Sequence, residues 1–345
     1  VQAATYYNLS LIPSVATTAT YTLGTAAAQT IRTDGTLLLA NQGAGTLTAT
    51  AAANNPVLDV RGDLTIGDGT VYTKGTGMTT FRAGTVQTIT DNTAVPKQDL
   101  GNVTVANNGG NTTVNQGSSV TVSSLTINAS QVFSANGANT LTLTNSLGMT
   151  VNGTFTPSTG TVIYRGATNY SIAPITYYNL QATTTGGGIS HYFTGNTTVL
   201  NDLTAGNGTN TSFVDINTND AALNVDGNVL ISASTTLVAS DSALFTVGGN
   251  WTNNGTFSHS GGTLTFDTAS TRSLSGTLDG SSGFNTVVFN GLAWNINAPL
   301  LLAGDMTLTN GTIQGSSNVT VNGGDVTGDG AMNFTGGTFL VDGTG

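Results

Sequence analysis

These 345 residues contain no cysteine and no glutamate, and charge of either sign is scarce. Charged side chains make up 7% of the chain, against about 25% in an average soluble domain. All 17 acidic residues are Asp, and the bases are two Lys and five Arg. Strong exposed-helix formers are therefore rare, which excludes a helical or α/β protein. No run of 18 apolar residues exists, so no helix is expected to span a membrane. Without Cys, nothing can depend on redox state. A net charge of −10 leaves no basic footprint for nucleic acid. The chain opens Val1-Gln2-Ala3-Ala4 with no apolar leader, which we read as the start of a mature secreted chain.

What is abundant is Thr, Val, Asn and 46 Gly. The stretch Leu244–Phe257 shows how they are used. An alternating run starting at Leu244 meets the corner Gly248-Gly249-Asn250. A second run starts at Trp251, and Asn253-Asn254-Gly255 turns the chain again. Related units are Val57–Ile66, Met149–Thr156, Leu223–Ile231, Leu301–Leu308 and Val319–Thr327. The shared pattern is apolar-x-Val-x-Gly-Asp/Asn-apolar. Alternation places every second side chain on one face of a strand. At the corner, Gly accepts positive φ and Asp or Asn bonds nearby backbone.

Val225 and Val247 are 22 residues apart, and Val321 and Val341 are 20 apart. A period of about 20 signals a solenoid and divides the chain into about 17 coils. The expected fold is all-β, a single-stranded parallel β-helix (β-solenoid), right-handed by analogy. A slower repeat lies above the fast one. TYYNL occurs at Thr5–Leu9 and again at Thr176–Leu180, and the Gln-Thr-Ile of Leu23–Ile31 returns in Phe81–Ile89. We therefore expect one continuous solenoid, 1–345, of four divergent blocks at about 1–98, 99–175, 176–282 and 283–345.

Candidate chemistry is sparse. The Asp residues are spread along the chain with no concentration suggesting a carboxylate pair. Arg82 and Arg165 hold similar places in two blocks, which suggests scaffold roles. His191 and His259 are isolated, and no Ser/His/Asp spacing stands out. We expect no catalytic residue and no cofactor. Calcium is the one candidate metal: Gly62–Gly69 and Gly324–Gly330 carry Asp63 with Asp68 and Asp325 with Asp329, which one coil edge could present together. Tyr6, Tyr7, Tyr177 and Tyr178 are candidate contacts for surface glycans. Alternation sends one Tyr of each pair inward, and Trp251 takes a position held by Leu64 and Val229 in sister units, so it belongs to the core. The Thr183–Thr185 run reads as strand with its hydroxyls facing water.

The units above, with Gly249–Phe257, GGTLTF at Gly261–Phe266 and FNTVVF at Phe284–Phe289, resemble bacterial extracellular β-strand-repeat surface proteins, similar in style to filamentous-haemagglutinin-like adhesins. The resemblance implies a secreted, cell-surface location and a structural or adhesive role. The pattern runs to Val341-Asp342-Gly343 without a polar cap, and an uncapped solenoid end seeks another coil. The expected function is the structural subunit of an extracellular filament or surface rod. Its partner is a second copy of itself, added head to tail. The alternatives are a monomeric adhesin that binds glycan or protein and, behind it, a polysaccharide lyase or hydrolase, which would need an Asp/Arg cluster in a groove.

Overall fold

The computed structural model describes residues 1–343. The chain is 50% strand and 2% helix, and its parallel strands stack into a β-solenoid of about 13 turns, with coils of about 22 residues. The sequence period was a little short, and about 17 coils was too many. The added residues sit at corners, where length is free because only the strands are bound to their neighbours. Two compact units are distinguished, Val1–Ile163 and Tyr164–Gly345. The division falls inside the second of the four blocks read from the sequence.

In the first unit, one seven-stranded parallel sheet runs from Thr5–Tyr6 through Thr30–Thr33, Val57–Val60, Met78–Phe81, Asn102–Val105 and Ser124–Ile127 to Met149–Val151. A second runs from Leu9–Leu11 through Leu37–Leu39, Leu64–Ile66, Val86–Asp91, Thr113–Gln116 and Val132–Ser134 to Thr154–Thr156. A third face begins with Thr18–Thr22, Thr46–Thr50 and Thr70–Thr73. The next coil contributes only an isolated bridge from Asp99 to Thr121.

The second unit also has three strands per coil. Thr176–Tyr177, Thr197–Val199, Leu223–Val225 and Phe245–Val247 stack on one face, and Asn179–Thr184, Leu203–Ala205, Val229–Ile231 and Trp251–Asn253 on the next. Tyr170–Ile172, Ile189–Phe193, Ser212–Asp215, Thr235–Val238 and Thr256–Ser258 form the third. Farther on, Thr263–Gly276 and Thr286–Ile296 each run through two faces.

Buried residues are mostly apolar, as alternation demands, with Gln87, Gln116, Gln131 and Asn253 among the polar exceptions. Trp251, Trp294, Phe266 and Phe289 are buried in the second unit, and Leu47, Ile89, Val105 and Leu141 in the first. The phase at Leu244 differs from expectation by one residue. Phe245 and Val247 point inward, while Leu244 is 59% exposed. Thr183 and Thr184 also depart from expectation, because both are buried. The Thr184 hydroxyl donates to the Gly166 carbonyl at 2.9 Å, so the chain beside it shields it from water.

Corner glycines follow two rules: Gly69, Gly323 and Gly328 have positive φ as expected, whereas Gly62 and Gly249 do not. A Cβ on Gly62 would lie 2.3 Å from the Gly35 carbonyl oxygen, and one on Gly249 would lie 2.3 Å from the Gly227 backbone. Glycine is needed because successive coils stack backbone on backbone at this corner.

Candidate functional site

Several Asp and Asn residues at the corners act between coils and not within their own turn. Asn8 Oδ1 accepts the Thr36 N–H at 2.8 Å, and Asp63 Oδ1 accepts the Thr88 N–H at 2.7 Å. In the second unit a column forms: Asn179 accepts from Asp202 N–H, Asp202 from Asn228, Asn228 from Asn250, and Asn250 from Ser273. Partners lie 22 to 26 residues apart, one coil on. The polarity is the same in each link, with the side-chain acceptor in the earlier coil and the N–H in the later one. Each bond contributes about 1 kcal/mol net.

That polarity makes the last described coil distinctive. Asp305 accepts the Asp325 N–H at 2.9 Å, but the Asp325 carboxylate accepts no hydrogen bond among the described residues. Val326–Thr327, Ala331–Phe334 and Phe339–Val341 are paired on one side only. Ile313 and Val321 are fully buried, whereas Met332 and Val341, their register partners in this last coil, are 40% and 47% exposed. Phe334 and Phe339 meet there with ring centroids 6.1 Å apart. In the first coil, the Asn8 N–H has no acceptor among the described residues. The arrangement can accept a parallel coil through apolar contact, strand pairing and one further side-chain acceptor.

The calcium candidates are placed differently from expectation. Asp63 and Asp68 flank the strand Leu64–Ile66, and Asp325 and Asp329 flank Val326–Thr327, so each pair lies at two successive corners and does not share one edge. A strand separates the carboxylates because two Gly-Asp corners close in sequence must have a side of the coil between them. Asp63 is engaged with Thr88, and Asp68 accepts its neighbour's N–H from Gly69 at 2.9 Å. No group of three or more His, Cys, Asp or Glu side chains that could hold a metal occurs among the described residues.

The tyrosines divide as alternation requires. Tyr7 is 79% exposed and Tyr178 half-buried, whereas Tyr6 is half-buried and donates to the Gln2 carbonyl. Tyr177 is fully buried, so it cannot contact a surface glycan. Its hydroxyl lies 2.8 Å from that of Tyr164, and burial pushes Tyr164 up to about 12.

Sequence reading missed an Asp/Arg cluster in the first unit. Arg82 clasps Asp59 with two bonds of 2.7 Å, and Arg61 reaches the same carboxylate at 3.3 Å. Arg32 pairs with Asp34 at 2.6 Å. Burial would raise the Asp59 carboxyl, but its bonds to Arg82 and Arg61 outweigh that and hold it below the ordinary aspartate range. A buried, doubly paired carboxylate is poorly suited to exchange a proton with substrate. Arg82 lies 23 residues after Asp59, one coil on, so the pair would be visible in the sequence once the coil length was known. Arg165 is exposed and joins no ion pair among the described residues, so its likeness to Arg82 does not extend to this contact.

No family model, curated protein or solved structure matches the chain.

Proposed function

We propose that this chain is a structural β-solenoid of the cell exterior, which assembles head to tail as the subunit of a filament or surface rod. The observation that supports this reading is the single polarity of the corner Asp and Asn bonds between coils, in which the side-chain acceptor lies in the earlier coil and the N–H in the later one, so that a coil of a second copy can be added in only one orientation. A heterologous contact of this kind propagates and does not close. On this reading the molecule is a scaffold and not a catalyst.

Electron microscopy of the purified protein across a concentration series tests the proposal. Filaments many subunits long are expected, and replacing both Met332 and Val341 by Lys should reduce them to single subunits. Monodisperse particles one subunit long at every concentration would refute it.

A further inference from the structure

Asn-Gly occurs eight times in the sequence. In this dipeptide the glycine nitrogen can attack the Asn side chain, because no Cβ hinders its approach. The attack needs room beside the glycine, a peptide N–H not held by an acceptor, and a carboxamide free to turn. Exposure does not choose among the eight, since seven of the asparagines are exposed.

The coil plan does choose. Gly153, Gly255, Gly291 and Gly311 lie so close to the preceding coil that even a Cβ would meet a backbone carbonyl oxygen there. The Gly323 N–H donates to the Asp342 carbonyl at 3.1 Å. Gly109, Gly137 and Gly208 have open space beside them. Of these, the Gly109 N–H donates to Asn107 Oδ1 at 2.6 Å. The Asn207 carboxamide is locked, donating to the Thr184 carbonyl at 2.9 Å and accepting the Thr209 and Asn210 N–H groups at 3.0 Å. Asn136 and Gly137 remain. Neither the Asn136 side chain nor the Gly137 N–H has a partner among the described residues. The pair sits at an exposed tip between the strands Val132–Ser134 and Thr140–Leu143. Asn139 Nδ2 donates to the Asn136 carbonyl at 2.8 Å, which draws electrons from the Gly137 peptide nitrogen and makes its proton easier to lose.

We propose that Asn136 is a self-modifying site, which converts spontaneously to aspartate and isoaspartate. The deprotonated Gly137 nitrogen attacks Asn136 Cγ. The new N–Cγ bond forms, the Cγ–Nδ2 bond breaks, and ammonia leaves with the proton taken from the Gly137 nitrogen. Water then opens the succinimide. Cleavage at Cγ gives aspartate, and cleavage at the main-chain carbonyl gives isoaspartate, whose backbone runs through Cγ. Each event adds one negative charge to a chain of net charge −10. The tip lies outside the strand ladders, so the coils stay paired and the charge records the age of the molecule. The proposal does not depend on assembly of the chain.

The test is peptide mapping by mass spectrometry of the full chain, incubated at physiological temperature and mildly alkaline pH, with a second sample held unfolded in strong denaturant. Isoaspartate is read separately by isoaspartyl methyltransferase labelling. In the folded chain Asn136 should convert at least tenfold faster than any other Asn-Gly pair, and in denaturant that preference should vanish. Gly137→Ala should slow the conversion at least tenfold, and Asn136→Gln should remove the fast phase, both with an unchanged circular-dichroism spectrum. Equal conversion of another pair in the folded chain, an intact Asn136 while the unfolded chain reacts, the same preference in denaturant, or an undiminished rate in Gly137→Ala would each overturn the assignment.

Discussion

The two units share one coil plan and stabilise it differently. Among the described residues, every ion pair lies in the first unit, between Arg32 and Asp99 along the sequence. Three coils are tied on their outer face by Asp34 with Arg61 at 3.9 Å and by Asp59 with Arg82 at 2.7 Å. The second unit has no such pair among the described residues and puts its distinctive chemistry inside. Trp251 touches the rings of Phe245, Phe257, Phe266 and Phe284, and Phe266 continues the stack to Phe289 and Trp294. A parallel coil therefore leaves the choice open. Ladder bonds and corner geometry define the path, and either outer charge or inner aromatic area can hold one coil on the next.

The largest test of this contrast is Trp251→Ala. Truncating a fully buried indole within a ring cluster costs about 3–5 kcal/mol. In a solenoid the loss should be felt mainly by neighbouring coils. Hydrogen exchange under mild denaturant should therefore show earlier opening at Val225, Val247 and Phe266, with protection at Leu47 and Val105 unchanged. Equal loss of protection in both units would mean that the aromatic stack is not a local device.

Asp59→Ala probes the other half of the comparison. It leaves Arg82 and Arg61 without the carboxylate that both contact. Loss of a fully buried partner costs about 3–5 kcal/mol, but Arg82 is 38% exposed and water recovers part of that, so about 2 kcal/mol is expected. The effect should appear as a lower urea midpoint confined to the first unit. It also has a pH signature. The native Asp59 carboxyl titrates below the ordinary aspartate value of 3.8. Its contribution is therefore complete above that value and disappears as pH falls through the native one. The variant should lack this acid-side loss. A wild-type midpoint with an unchanged acid limb would remove the outer ion pairs from the account of stability.

The reasons some features were legible in the sequence, and others not, follow from the same coil plan. The fold was legible because alternation and Gly-Asp corners are local signals. The repeated motifs also have local or regular roles. Gln29 and Gln87 both close a four-residue loop, accepting N–H bonds from Thr25 and Ala83. The Asn of each TYYNL accepts from the next coil, Asn8 from Thr36 and Asn179 from Asp202. What failed required knowing each coil's length. Asp59 and Arg82 are one coil apart, but corner insertions change the offset from coil to coil. The placing of Asp63 with Asp68, and of Asp325 with Asp329, on one coil edge was misjudged for the converse reason. Residues close in sequence were assumed to be close in space, and a strand came between them.

The smallest effect concerns a single buried base in the second unit. His191 is fully buried, stacked on Tyr170 with centroids 5.3 Å apart, and its Nε2 lies 2.9 Å from the Thr183 carbonyl oxygen. Burial lowers its native pKa below the ordinary 6.5, and the Thr183 carbonyl offsets only part of that. The unfolded chain therefore takes up a proton before the native one does. The neutral imidazole's contribution is complete above pH 6.5, decreases as pH falls from there, and stops changing once pH is below the native value. Melting curves of His191→Phe, which keeps an aromatic ring against Tyr170, should lack this segment of the pH dependence while retaining the steeper acid loss assigned to Asp59. If wild type and His191→Phe follow parallel curves from pH 7 to pH 5, the buried histidine is not what makes the second unit acid-sensitive. The contrast between an inner and an outer titrating group would then be lost.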